Sequence, residues 1–316
     1  MTAIHASGEV QEMLAAALNE RGDVDKFEHL SAEEQINTAE TWDVFALAGL
    51  ANNSDQGAET ANAIVRDRVV ACLARLVAPP HRLLAVMRDT DTVLADRHVN
   101  AIVFPEQPPG AESFLFYSPS HQYDTFCIYL KDILHAQFLA QRDDMDNMRC
   151  DDGGPGFEEY SVVSLNGHKV VVARSESLSP FSAVPWKKTT HYMNVISSRC
   201  IYIPYPWLMK DKLGRLRRDT DAAAEGVALK QGWDLRRDFR ADGAAQAECL
   251  QNGLCARQRR HMGDSGTLVF QWDGERTAYP ESELTVAWVL GGLPCNAGSC
   301  WVEVRREVKL AAIIKV

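Results

Sequence analysis

The dipeptide Asn166-Gly167 separates two β-prone runs, Tyr160-Ser-Val-Val-Ser-Leu165 and Lys169-Val-Val-Val-Ala173. Both residues tolerate the positive φ that a type I′ turn demands, and the twist of that turn matches the twist of paired antiparallel strands. The segment therefore predicts a β-hairpin, and a hairpin needs further elements packed on it to persist in water. The other strand candidates are short and scattered. They are Thr92-Val93-Leu94, Phe114-Leu115-Phe116-Tyr117 closed by Ser118-Pro119, Cys200-Ile-Tyr-Ile203 ended by Pro204, and then 267–272, 284–290 and 301–315.

Helical patterns surround these strands. Val10, Met13, Leu14 and Leu18 fall at helical spacing. Ser31 followed by Glu34 forms a capping box for a helix through Ile36 and Ala39. A third helix runs from about Gly57 through Leu73 and stops before Pro79-Pro80. Helices are also expected up to Phe104-Pro105, over 121–142, from Thr189 to Val195 and over 206–240. The order predicts an α+β fold: an N-terminal helical region over 1–80, a mixed α/β core over 81–240 and a β-rich region over 241–316 packed on that core.

Composition narrows the function classes. A chain of 316 residues with 46% hydrophobic content can bury a substantial core. A net charge of −10 argues against nucleic acid or an anionic membrane surface as partner and leaves a small molecule or a protein. Met1 to Leu14 lacks the order of a secretory signal, and no apolar run reaches the length of a bilayer span, so a cytoplasmic location is expected. The eight cysteines are then expected to be reduced, with Cys72, Cys127, Cys150 and Cys200 as packing residues.

Several segments in order carry a resemblance. They are Val93-Leu94-Ala95-Asp96-Arg97-His98-Val99 with Val103-Phe104-Pro105, Ser113-Phe114-Leu115-Phe116-Tyr117-Ser118-Pro119, His168-Lys169-Val170-Val171-Val172, Thr189-Thr190-His191-Tyr192-Met193-Asn194, and Ile201-Tyr202-Ile203-Pro204. Over about 80–235 this succession resembles fungal proteins with a polymerase-β-like nucleotidyltransferase fold. The resemblance implies a nucleotidyltransferase-like mixed sheet with helices. It also implies a Gly-Ser turn at Asp96 and Arg97, carboxylates at Ser113 and Leu115, and in some members a third at Val171 or Val172. Glycine in that turn lets backbone N–H groups approach a triphosphate, and the carboxylates hold two divalent ions. This chain has none of these groups at those positions, so a Mg–nucleotide cofactor is not expected.

Asp96, Arg97, Glu112, Ser113 and Asn194 are the residues expected to line whatever the cleft binds. Glu112, next to the lost carboxylate, points to the opposite strand face unless a bulge shifts it. Two function classes follow. One is a catalytically degenerate nucleotidyltransferase-like protein that acts as a binding or scaffold module. The other is an enzyme that reuses the cleft for metal-independent chemistry on a small molecule, with His121, Asp124 and His191 as acid–base candidates.

Other motifs have two readings each. Gly263-Asp264-Ser265-Gly266 looks like the nucleophile loop of a serine hydrolase, with Ser265 as nucleophile, but Thr267 stands where a second glycine is usual, and a turn before the Leu268-Val269-Phe270 strand explains the same residues. Cys249, Cys255, His261, Cys295 and Cys300 are zinc-ligand types; five residues separate the first cysteine pair, more than close cysteine pairs usually show, and four the second. Lys210, Lys212, Arg215, Arg217 and Arg218, then Arg236, Arg237 and Arg240, form either a solvated helical face or a surface that holds a polyanion.

Overall fold

The N-terminal helices start where polar caps place them. In the computed structural model, Ser31 and Glu34 form the complete capping box of α2 (Ala32–Ala39), Asp43 caps α3 (Val44–Asn53) through Ala46 N, and Ser54 caps α4 (Asp55–Ala74) through Gly57 N. With α1 (Gly8–Asn19) and α5 (His81–Asp89) they make a helical layer. Arg68 pins that layer by donating to the carbonyls of Glu40 at 2.6 Å, Trp42 at 2.5 Å and Ile102 at 3.3 Å. The structure describes residues 4–5, 8–22, 27, 29–107, 113–142, 157–187, 189–216, 226, 229, 232–236, 260–264, 266–273, 286–289 and 312–315.

The helical layer packs on a mixed sheet. In chain order its strands are β1 (Ile4–His5), β2 (Val93–Ala95), β3 (Ser113–Ser118), β4 (Gln137–Arg142), β5 (Phe157–Leu165), β6 (His168–Ser175), β7 (Val195–Ile196), β8 (Cys200–Ile203) and, after β9 (Leu213–Arg215), β10 (Asp234–Arg236) and β11 (Arg260–His261), β12 (Leu268–Gln271). Among the described residues the sheet has nine strands in the order β1-β12-β8-β7-β2-β3-β6-β5-β4. β3 runs parallel to β6 and antiparallel to β2, and all other neighbours are antiparallel. The first strand thus joins a strand from the last fifth of the chain, and the helical region shares one apolar core with the latter.

The two faces of the sheet bury separate cores, as period-2 alternation requires. Leu94, Phe114, Phe116, Val170, Val172 and Ile201 face the helical layer, including α6 (Arg97–Val103) and α7 (Tyr123–Ile128). Ala95, Leu115, Val171, Val195, Tyr202 and Val269 face a second cluster. The 3-10 segment Pro180–Trp186, Met193, Tyr205 and β13 (Val286–Val289) build that cluster. β13 pairs with β11 and with β14 (Ala312–Lys315) in a small separate sheet, and β9 pairs in parallel with β10.

The α+β class, the capping box, the first and third helices and the hairpin agree with expectation. Asn166 (φ 50°) and Gly167 (φ 81°) both take the positive φ of a type I′ turn. Three helical expectations are corrected. Over 121–142, α7 passes into one π-turn (Tyr129–Ile133), the left-handed His135 (φ 55°) ends it, and Gln137–Arg142 extends the hairpin as β4. Of the apolar spacing there, Phe126 and Leu130 are buried and Tyr129 and Leu134 pack against the same core, whereas Ile133 is 54% exposed. Thr189 to Val195 holds a single 3-10 turn (Thr190–Tyr192) leading into β7. In 206–240, α8 (Pro206–Lys210) is short. Lys212 (φ 51°) breaks it, and β9 and β10 follow where more helix was expected. The basic residues there are partly neutralised at home: Lys210 pairs with Glu20 at 2.9 Å and Lys212 with Glu106 at 3.0 Å. Arg217, Arg218, Arg237 and Arg240 lie outside the described residues.

α1 and α3 touch through Gly49, where a β-carbon would run into the Leu14 carbonyl oxygen and Leu18 Cβ. Gly49→Ala therefore lowers unfolding free energy by about 2 kcal/mol through overpacking. Gly8→Ala, whose β-carbon would meet nothing, leaves it within about 0.5 kcal/mol. Urea titration of both variants checks this, and equal stability of the two would remove the close-packing account.

Candidate functional site

β2, β3 and β6 bring the expected positions into one row. Leu115 pairs with Ala95 on one side and Val171 on the other, so the residue before Asp96, the second expected carboxylate position and the hairpin position stand abreast on one sheet face. Ala95 is 0%, Leu115 9% and Val171 2% exposed, and Phe181, Val184 and Met193 belong to the same apolar cluster. Ser113 stands exposed at the strand end, beside Lys169 in register. Glu112 lies outside the described residues.

Asp96 ends β2 with φ 76° and ψ −153°. Glycine reaches that region freely, whereas a side chain there costs about 1–3 kcal/mol. The turn thus has a glycine backbone and an aspartate side chain.

Arg97 opens α6 and sits 6.0 Å from the centre of the Tyr192 ring. His191, fully buried, stacks on Trp233 at 4.4 Å and packs against Tyr192 at 3.9 Å. Gly214 makes room for it, since a β-carbon there would come 3.0 Å from His191 Nδ1. Asn194 Nδ2 lies within donating distance of Asn100 Oδ1 (3.1 Å), the His191 carbonyl (2.9 Å) and Met209 Sδ (3.1 Å), and so ties α6, the 3-10 turn and α8 together. Asp96, Arg97, His191 and Asn194 therefore gather at one end of the sheet.

His121 and Asp124 do not join them. They follow Ser118, at the end of β3 opposite Ser113. His121 there faces Asp91, whose carboxyl burial pushes above its usual range against the charges of His121 and Arg199. Asp124 belongs to a charged group around Arg174, which pairs with Glu159 at 2.8 Å and Glu158 at 3.3 Å. The expected convergence of His121, Asp124 and His191 is corrected by strand direction: the sheet separates them.

The hydrolase-like motif is a structural turn in its described part. Asp264 takes two bonds from the buried Arg260, at 2.6 and 2.9 Å, and further ones from His261 N, Gly266 N and Thr267 Oγ1. Arg260 also donates to the Pro204 carbonyl at 2.6 Å and lies over the Tyr205 ring at 5.0 Å. Burial works to raise the Asp264 pKa, but hydrogen bonds and charge from Arg260 outweigh it, and the net shift is downward. Ser265, Cys249, Cys255, Cys295 and Cys300 lie outside the described residues. His261 is described, and its Nδ1 accepts from Gly263 N at 3.2 Å. No group of three metal-ligating side chains occurs among the described residues.

Sequence reasoning missed His98. It is 1% exposed, stacks on Phe114 at 3.7 Å with rings 5° apart, and bonds through Nε2 to the Ser113 carbonyl at 3.0 Å. Burial lowers its pKa to about 4; the Ser113 bond opposes this, and the charges of Arg75, His168 and Arg97 add to it. The available signal was its place one turn after the β2 end, where α6 must lie on β3.

No protein-family model matches the chain, and no curated protein matches it. No described helix is long and apolar enough to cross a membrane.

Two outcomes follow. Asp96→Gly raises stability by about 1 kcal/mol or more, because it relieves the backbone strain; thermal melts showing a loss would show that the aspartate side chain outweighs that strain. His98 stays neutral in the fold until pH falls to about 4, while the unfolded chain takes up its proton below about pH 6.5. Its contribution is therefore complete above pH 6.5 and falls by about 3 kcal/mol as pH drops toward 4. His98→Phe flattens that part of the stability–pH curve, and an unchanged slope in denaturant titrations would contradict it.

Proposed function

We propose that this chain is a catalytically degenerate nucleotidyltransferase-like module that works by binding or scaffolding. The observation that carries the reading is the row Ala95–Leu115–Val171 beside the glycine-like turn at Asp96. A strand, a turn of that backbone geometry, a helix, a strand antiparallel to the first and a hairpin strand parallel to the second follow in the order that the resemblance implies.

Of the two positions where carboxylates would hold divalent ions, one is the exposed Ser113, and the other is Leu115, which belongs to the apolar cluster of Phe181, Val184 and Met193. Burying an unpaired carboxylate there costs several kcal/mol, so the packing and the lost chemistry support each other. The same filled face weighs against an enzyme that reuses this cleft. The wide separation of His121 and Asp124 from His191 weighs against the acid–base set such an enzyme would need.

Calorimetry with ATP and Mg²⁺ tests the reading. No saturable heat and no rise in melting temperature are expected up to millimolar nucleotide. Tight binding that requires Mg²⁺ would sink it, since ligand at about 100 times Kd stabilises by roughly 2.7 kcal/mol, a shift of several degrees.

A further inference from the structure

The Phe114 ring is surrounded by nitrogen-bearing side chains from three elements. His98 on α6 stacks on it at 3.7 Å, the Arg75 guanidinium at the end of α4 lies 5.6 Å from its centre, and His168 on β6 meets it edge-on at 5.7 Å. Arg97 adds charge from α6. In a chain of net charge −10, Arg75 and Arg97 bring two positive groups to one place beside neutral His98. It lies toward the helical layer, on the face opposite Leu115 and Val171.

Two atoms here lack hydrogen-bond partners, and they are of opposite kinds. The Ser113 carbonyl can only accept, so His98 Nε2 carries the ring proton and the neutral ring presents a lone pair at Nδ1. Among the described residues that Nδ1 finds no donor and Arg75 Nη1 finds no acceptor, and both atoms are shielded from water. A buried donor or acceptor left unpaired costs about 1–3 kcal/mol. A ligand that supplies one acceptor and one donor would satisfy both.

We propose that Arg75, His98 and His168 form a binding site for a phosphate monoester in its singly protonated form. A phosphate oxygen accepts from Arg75 Nη1, and the P–OH donates to His98 Nδ1. Sulfate, and phosphate that has lost its second proton, offer acceptors alone and leave the Nδ1 lone pair facing an oxygen lone pair. The proposal does not depend on the nucleotidyltransferase-like reading, because it uses the other sheet face and none of that fold's expected catalytic positions.

The experiment follows the His98 ring resonances of the isotope-labelled full chain while methyl phosphate or sulfate is added. Methyl phosphate is expected to shift them saturably at pH 5.5, with affinity falling about twentyfold by pH 7.5 because the second proton leaves near pH 6. Sulfate is expected to bind about tenfold more weakly or not at all at pH 5.5, and Arg75→Gln to weaken methyl phosphate about tenfold. Arg75 is only partly buried, so that variant keeps the test open if substitutions at His98 fail to fold. Unmoved His98 resonances at pH 5.5, equal responses to the two anions, or an unaffected Arg75→Gln protein would each overturn the proposal.

Discussion

The parallel pairing of β3 with β6, set against the antiparallel pairing of β3 with β2, holds Phe114 and Leu115 toward opposite faces of one sheet. Both faces are covered, so neither residue can be polar without a partner. Phe114 serves the helical layer and gives His98 and Arg75 their common surface. Leu115 serves the second core and stands between Ala95 and Val171. One register therefore decides both what the former side of the cleft would hold and where Arg75 and His98 meet.

Polar groups in this interior are kept where they clamp elements. Arg68 reaches carbonyls at the ends of α2 and α6, Asn194 joins α6 to α8, and Arg260 joins the Asp264 turn to the end of β8. Each is a donor-rich side chain meeting carbonyl or carboxylate acceptors, the pairing that makes burial of such groups tolerable. Breaking one such buried pair exposes the partner's desolvation cost, about 3–5 kcal/mol for a charged one. The Asp264 turn is in this sense an anchor for Arg260.

What could be read from residues alone was the local chemistry that acts within a few positions. The Asn166-Gly167 turn, the Ser31–Glu34 box and the strand at Phe114–Tyr117 all signal through neighbours in sequence. In the sheet, Ala95, which precedes Asp96, stands abreast of Leu115 and Val171. The reading from residues failed where tertiary pairing overrides a helical pattern, as at Gln137–Arg142 and Leu213–Arg215, whose strands exist because β5 and β10 lie beside them. It also could not tell that β3 carries His121 away from Asp96. Adjacency in sequence suggested one cleft, whereas strand direction makes two ends. His98 was invisible for the same reason, since its significance lies in the ring of Phe114 fifteen or so residues on.

The turn at Asp96 shows how a backbone can outlast the side chain it suits. Its φ of 76° is held from both sides. β2 is locked between β3 and β7, and α6 is fixed by the His98–Phe114 stack and by Asn100 against Asn194. Relaxing Asp96 into an ordinary region would swing α6 off β3 and disrupt the stack, the clamp and the packing of Val99 and Val103 in the core. That loss exceeds the strain of about 1–3 kcal/mol, so the strained turn persists. On the proposed reading, the glycine that once fitted this turn could be lost without changing its course, because the surrounding packing rather than the residue itself sets the geometry.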